Sequence, residues 1–316
     1  MEGSALELGG GAVLRIDAYT KVWSIAPFAL LHNTLRRELI DLLVIVESLQ
    51  QREGQLEQVD KDQFEEWWKL FQQLVNDVFA FENRIFFPWV FGVKLENGKF
   101  DPRFIKVKEE IMGNQQASAR TFLEISLLLD KLKNAITVES LNAIFKDICP
   151  VMMKVIISFT KYLAQQEKSL QKLIETTFKE EDLKKVEDKL VTAVLASDPN
   201  GQIYFAMMVR GCGSEDAAEL KAYLGVKDRF NWPTWLSRLK KEHTYIVKIF
   251  RDKNPNPSMS SFSRATDISS PLHSPTLASP RASGRLAPGS PRASGRLAAG
   301  SPTASGRLNA ANIGSG

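Results

Sequence analysis

From Phe28 to Leu173, apolar side chains return at steps of three and four residues, and no convincing alternation of the kind a half-buried strand requires interrupts them. Phe28, His32, Leu35, Leu39, Leu42, Val46 and Leu49 form the first such stripe, after Pro27. Phe64, Trp68, Phe71, Val75, Val78, Glu82 and Ile85 form the second, which Pro88 is expected to stop. Two polar residues, His32 and Glu82, therefore lie on faces that are otherwise apolar. The pattern predicts an all-α protein.

Local signals place the helix ends. Asp60 with Gln63 reads as a capping box for the second helix, and Asp101-Pro102 as the cap and first position of the third. The fourth starts near Thr137 and carries Leu141, Phe145, Ile148, Met152, Val155, Phe159, Tyr162, Gln166, Leu170 and Leu173. Gly113 is a point where the third could bend, and Pro150 should kink the fourth. Four long amphipathic helices with short connections favour an up-down four-helix bundle over residues 21–178. Thr177 with Glu180 reads as a cap for a further helix to about Ser197. Shorter helices are expected near Asn200–Arg210 and Ser214–Leu224, and a last one from about Pro233 to Asp252. These accessory helices, 179–253, are expected to pack on the bundle, with Trp232 and Trp235 anchoring them by aromatic burial.

Residues 1–20 carry two acids and a Gly9-Gly10-Gly11 run near the start and read as a flexible leader, with the features of neither a secretory nor a transit peptide. At the other end, everything after Asn254-Pro255-Asn256-Pro257 is rich in Ser, Pro, Ala, Gly and Arg. Such a composition buries too little apolar surface to offset chain entropy, so 254–316 is expected to be disordered. Within it an 11-residue unit recurs from Ser279, Ser290 and Ser301. Ser270, Ser274, Ser279, Ser290 and Ser301 each precede Pro, which makes proline-directed kinases plausible writers, each phosphate adding about −1.5 to −2 charges.

The formal charge of +4 is unevenly placed. The tail from Asn254 holds six Arg and one Asp, so 35 of the 41 basic and 36 of the 37 acidic residues fall in the first 253. A near-neutral helical body argues against a nucleic-acid partner. The last helix does cluster Arg238, Lys240, Lys241, Lys248, Arg251 and Lys253, and is expected to present a solvated face. No run of about 18 apolar residues exists, so no transmembrane segment is expected. Two isolated cysteines, Cys149 and Cys212, fit packing and a reducing, intracellular and cytoplasmic setting.

Leu31-His32-Asn33-Thr34-Leu35 and the stretch Phe81 to Trp89, with Phe87-Pro88 at its end, resemble the first two helices of a haemerythrin-like (HHE cation-binding) domain, a likeness that spans roughly Trp23 to Phe178. The resemblance implies a His on the first helix, His-x-x-x-Glu on the second, a His on the third and His-x-x-x-Glu on the fourth, together holding iron or another divalent metal. His32 and Glu82 match. Val78 stands at the second-helix His position, Arg120 or Thr121 at the third, and Tyr162 and Gln166 at the fourth-helix pair. Tyr162 and Glu167 are further candidate ligands if the fourth helix shifts its register. Otherwise His32, Glu82, Tyr162 and Gln166 should form a buried hydrogen-bonded cluster in place of the metals.

No Gly-rich phosphate loop and no Ser-His-Asp or Cys-His set is recognisable, so an enzyme is not the expected reading. The expectation is a non-enzymatic binding or scaffold module with a largely lost di-metal site, no resident cofactor, an unidentified protein partner and a phosphorylatable tail. The alternative is a metal-binding or oxygen-responsive protein using an altered ligand set. A weaker option is a carrier holding a small molecule between Phe71, Val75, Phe159 and Tyr162.

Overall fold

In the computed structural model the described residues are 6–8, 12–14, 23–197 and 199–254. The chain divides into Met1–Ser270 and Pro271–Gly316, and all described residues belong to the first unit. The tail expected to be disordered, its repeats and its Ser-Pro sites lie outside the described residues, apart from Asn254. Apart from one short ladder and one isolated bridge, Lys94 with Phe100, every described element is helical.

The ladder falls within the expected flexible leader. Strands β1 (Leu6–Leu8) and β2 (Ala12–Leu14) pair antiparallel, with Leu6 opposite Leu14 and Leu8 opposite Ala12. Three-residue strands are too short to show alternation in sequence, which is why periodicity did not mark them.

The helices are α1 (Ala26–Gln51), α2 (Gln58–Phe81), the one-turn α3 (Phe87–Val90), α4 (Pro102–Lys133) and α5 (Val138–Thr177). Then come α6 (Glu180–Leu195), α7 (Gly201–Gly211), α8 (Ser214–Ala222), α9 (Val226–Leu239) and α10 (Tyr245–Asp252). Two π-helical turns interrupt the regular geometry, Glu82–Phe86 between α2 and α3 and Lys240–Thr244 between α9 and α10.

Several helix ends differ from the sequence signals. Asp60 is not the cap of α2 but sits three positions inside it and accepts from the Glu57 backbone N–H at 3.0 Å, so the helix begins a turn earlier. Arg52 and Lys253 also converge on that carboxylate, whose pKa is lowered because these bonds outweigh its burial. Pro88 does not end the helical run, because it falls in the first turn of α3, where a missing N–H has no partner to lose. Helix α4 runs unbroken through Gly113, and α5 through Pro150. No Thr177 cap forms, because α5 continues through Thr177 and α6 starts after Lys179. The last helical run, α9 through the second π-turn to α10, begins at Val226, with Pro233 inside α9. Asp101 caps α4 as expected, accepting from Arg103 N–H at 2.9 Å, and Thr137, expected near the start of the fourth helix, caps α5 by accepting from Ser140 N–H at 3.2 Å.

Cross-helix bonds set the directions. Asn114 meets Gln165 and Ser118 meets Ser158, so α4 and α5 run antiparallel. Ser24 meets Glu175, His32 meets Glu167 and the α1–α2 loop meets Asn142, so α1 opposes α5. Gln72 with Ser126 and Glu82 with Gln115 set α2 against α4.

The later helices share the same core. One continuous set of buried residues runs from Phe28 to Phe250, and α1 packs against α2, α5, α6, α7 and α10. Helix α1 is therefore enclosed: Arg36, Arg37, Glu38, Asp41 and Ser48 are as buried as Leu35 and Leu39. Trp235 is buried and makes edge contacts with Phe205 and Trp232, as the aromatic anchor reading expected. Both cysteines are buried and unbridged, and burial pushes each thiol up to about 12, so both are inert packing groups at neutral pH.

Gly211, read in sequence only as a turn residue, is where α7 crosses α1. A Cβ placed there would lie 2.9 Å from the Thr34 backbone nitrogen and 3.0 Å from the Asn33 carbonyl. Those atoms belong to an enclosed helix and have little room to move. Gly211→Ala is expected to lower the unfolding free energy by about 1–3 kcal/mol, read as a shift of the urea midpoint at constant slope.

Candidate functional site

Helix α1 presents two polar faces to its neighbours. The first begins at His32, wholly buried, whose Nδ1 lies 2.7 Å from Glu167 Oε1 on α5 and whose Nε2 lies 3.6 Å from Glu82 Oε1 on the π-turn. The second distance is too long for a hydrogen bond and makes an ion pair. Arg36, one turn along α1, donates to Glu167 Oε2 at 2.7 Å. Tyr162 donates to Glu82 Oε2 at 2.7 Å, and Gln115 of α4 donates to the same oxygen at 2.9 Å.

The ionisation follows from these partners. Burial alone would lower the His32 pKa, but the hydrogen bond to Glu167 and the facing Glu82 carboxylate outweigh it and raise the pKa, favouring the imidazolium. Burial likewise opposes ionisation of Glu167, yet His32 and Arg36 hold its carboxyl down to about 2. Tyr162 is pushed well above the ordinary phenol range by burial and by the adjacent Glu82 carboxylate. Its proton stays on, so it serves as a donor and not as a phenolate. The cluster thus sets two cationic groups, Arg36 and His32, against two carboxylates, Glu82 and Glu167.

This donor set does not match the centre that the resemblance implies. The His32 ring stands between the two carboxylates, so an ion shared by Nε2 and Glu82 would lie across the ring from Glu167. Val78 is fully buried at the second-helix His position. Among the described residues, no group of three or more His, Cys, Asp or Glu is placed to hold a metal ion.

Of the sequence candidates, the structure brings His32, Glu82, Tyr162 and Glu167 together. Gln166, expected in the cluster, is buried, but neither atom of its amide has a hydrogen-bond partner among the described residues, because Glu167 takes the contact with His32. Arg120 and Thr121 do not mark the α4 position either: Arg120 is exposed, and Thr121 bonds back to the Ala117 carbonyl. Gln115 is the α4 residue that reaches the site, five and six positions earlier. Phe71, Val75, Phe159 and Tyr162 are buried, and Phe122 and Phe79 pack among them in ring contacts 5.6–6.0 Å apart.

The second polar face of α1 escaped sequence reasoning. Glu38 accepts from Arg210 at 3.0 Å and contacts His243 Nε2 at 2.5 Å, while Asp41 pairs with Arg210 and lies 3.8 Å from Arg37. Burial would raise the Asp41 pKa, but the Arg210 and Arg37 guanidinium groups lower it. The His243 ring stacks on Trp67 with centroids 5.2 Å apart. His243 sits on the second π-turn as Glu82 sits on the first, and both are buried. The available signal was Arg36-Arg37-Glu38 with Asp41, which puts charge on every side of an apolar helix. Naming the partners required knowing that α7 and the turn after α9 cover α1.

Compared with protein-family models, with curated proteins and with solved structures, the chain has no match.

Proposed function

We propose that α1, α2, α4 and α5 form an up-down four-helix bundle of the haemerythrin-like kind, in which a charge-paired cluster takes the place of a di-metal centre. The protein is then a non-enzymatic binding or scaffold module, with a phosphorylatable tail. The observation that carries this reading is the pairing of Glu167 with both His32 and Arg36. A di-metal centre requires neutral imidazoles and carboxylates facing an external cation. Here a guanidinium and an imidazolium supply the positive charge from within the chain. The three antiparallel helix pairings and the matching positions of His32 and Glu82 support the fold half of the proposal.

One feature favours the alternative, a metal-binding or oxygen-responsive protein with an altered ligand set. His32 Nε2 and Glu82 Oε1 face each other with no hydrogen-bond partner among the described residues, at the start of a π-turn of the kind often found at functional sites. Metal content separates the two. Full-length protein purified without an affinity tag, offered iron, manganese and zinc and then desalted, is expected to retain below about 0.1 ion per chain by mass spectrometry. Retention of about one or two ions, lost in the His32→Ala and Glu82→Ala chains while their helical signal persists, would reverse the reading.

A further inference from the structure

The side of α9 turned away from the core carries apolar residues that no packing requirement explains. Val226 and Phe230 are 88% and 86% exposed, one turn apart, with Pro233 exposed beside them and Leu236 at 38%. Trp235 and Leu239, on the opposite side of the same helix, are the residues that anchor it. A face meant only for water gains nothing from an exposed Phe and Val in succession.

Charge frames this stripe. Residues 226–242 hold five cations, Lys227, Arg229, Arg238, Lys240 and Lys241, against two acids, Asp228 and Glu242. Arg238 is taken up by Glu242 at 2.9 Å and Arg229 turns back to the Ala222 carbonyl. Lys227, Lys240 and Lys241 are exposed and make no ion pair among the described residues. Beyond Lys253 the sequence adds six Arg against one Asp, the same sign at the same end of the chain.

We propose that the outer face of α9 docks on an anionic lipid surface, with Val226 and Phe230 entering the headgroup boundary and Lys227, Lys240 and Lys241 contacting phosphate. An apolar stripe on a convex helix, edged by lysines, matches the chemistry of an interface with acyl chain below and anionic headgroups at its rim. Nucleic acid offers no counterpart for the aliphatic stripe. The proposal is independent of whether the buried cluster of α1 descends from a metal site.

The test is co-sedimentation of the full-length chain with vesicles of phosphatidylcholine alone and with about 30 mol % phosphatidylserine. Binding to the anionic vesicles and not to the neutral ones is expected, weakening as salt rises from about 0.1 to 0.5 M. V226S/F230S should weaken it about tenfold, and K227E/K240E/K241E on the order of 100-fold. All five positions are exposed, so unchanged thermal melts are expected in both variants. No binding to anionic vesicles overturns the proposal. So does binding that survives V226S/F230S but is lost when the six tail arginines become glutamine, which would assign it to the tail. Concentration-dependent self-association abolished by V226S/F230S, without vesicle binding, would instead give the face to a second copy of the chain.

Discussion

Arg210→Met is expected to lower the unfolding free energy by about 3–5 kcal/mol, the largest loss from any single substitution considered. Arg210 lies between Glu38 and Asp41, both buried on α1, and donates to each. Methionine keeps much of the volume and removes the charge. Glu38 then retains His243, and Asp41 retains the more distant Arg37 and the field of His243. Two carboxylates one turn apart on an enclosed helix must then repel each other or take up protons. In a helical body of this size, such a loss corresponds to a fall of about 10 °C in Tm. The interpretation is checked by the triple variant E38Q/D41N/R210M, which removes the charges together and should recover part of the loss, because the penalty lies in an unpaired buried charge and not in a missing contact. If Arg210→Met costs no more than a surface substitution, the network contributes little to holding α7 on α1.

Glu167→Gln is expected to cost about 3 kcal/mol at neutral pH and to remove a pH dependence along with it. In the folded protein the Glu167 carboxyl is held down to about 2, against an ordinary value of 4.5. A carboxyl depressed on folding contributes stability that is fully present above about pH 4.5 and is lost as pH falls from there toward 2. His32 titrates in the opposite sense. Its pKa is raised above 6.5, so its contribution is full below 6.5 and is lost as pH rises through the raised value. Both limbs report the same His32–Glu167 interaction, which is counted once. Urea unfolding across this pH range should therefore show a maximum between about pH 4.5 and 6.5 in the native chain. The Gln chain should have a shallower acid limb, because Asp41 and Asp60 keep their own depressed carboxyls, and its His32 ring, left to burial and Glu82, should lose its proton at lower pH. A native-minus-variant difference that does not change with pH would mean that Glu167 is not the ionised partner of His32.

These two networks meet the sequence differently. His32 and Glu82 stood out because a polar residue on an apolar helical face is locally anomalous, whereas Tyr162 and Glu167 were candidate ligands only through the resemblance and a shifted fourth-helix register, the apolar stripe itself pointing to Gln166. Arg36 and Gln115 did not stand out. An Arg beside another Arg and a Glu reads as solvated surface, and Gln115 lies in a helix whose face is polar on both sides. Arg210 and His243 are 172 and 205 residues from Glu38 along the chain, and no local pattern encodes a pairing at that separation.

The sequence by itself determined the helical class and the approximate extent of the long helices, because apolar periodicity is a local property that any compact fold must satisfy. It also determined the cap at Asp101, whose side chain bonds within its own turn. The tertiary structure alone decided that α1 is enclosed on all sides, that the helices after Phe178 share its core, and that its charges are paired and not solvated. Burial on a second side depends on which later segments arrive there, and a buried charge is tolerated only where a partner of opposite sign arrives with them.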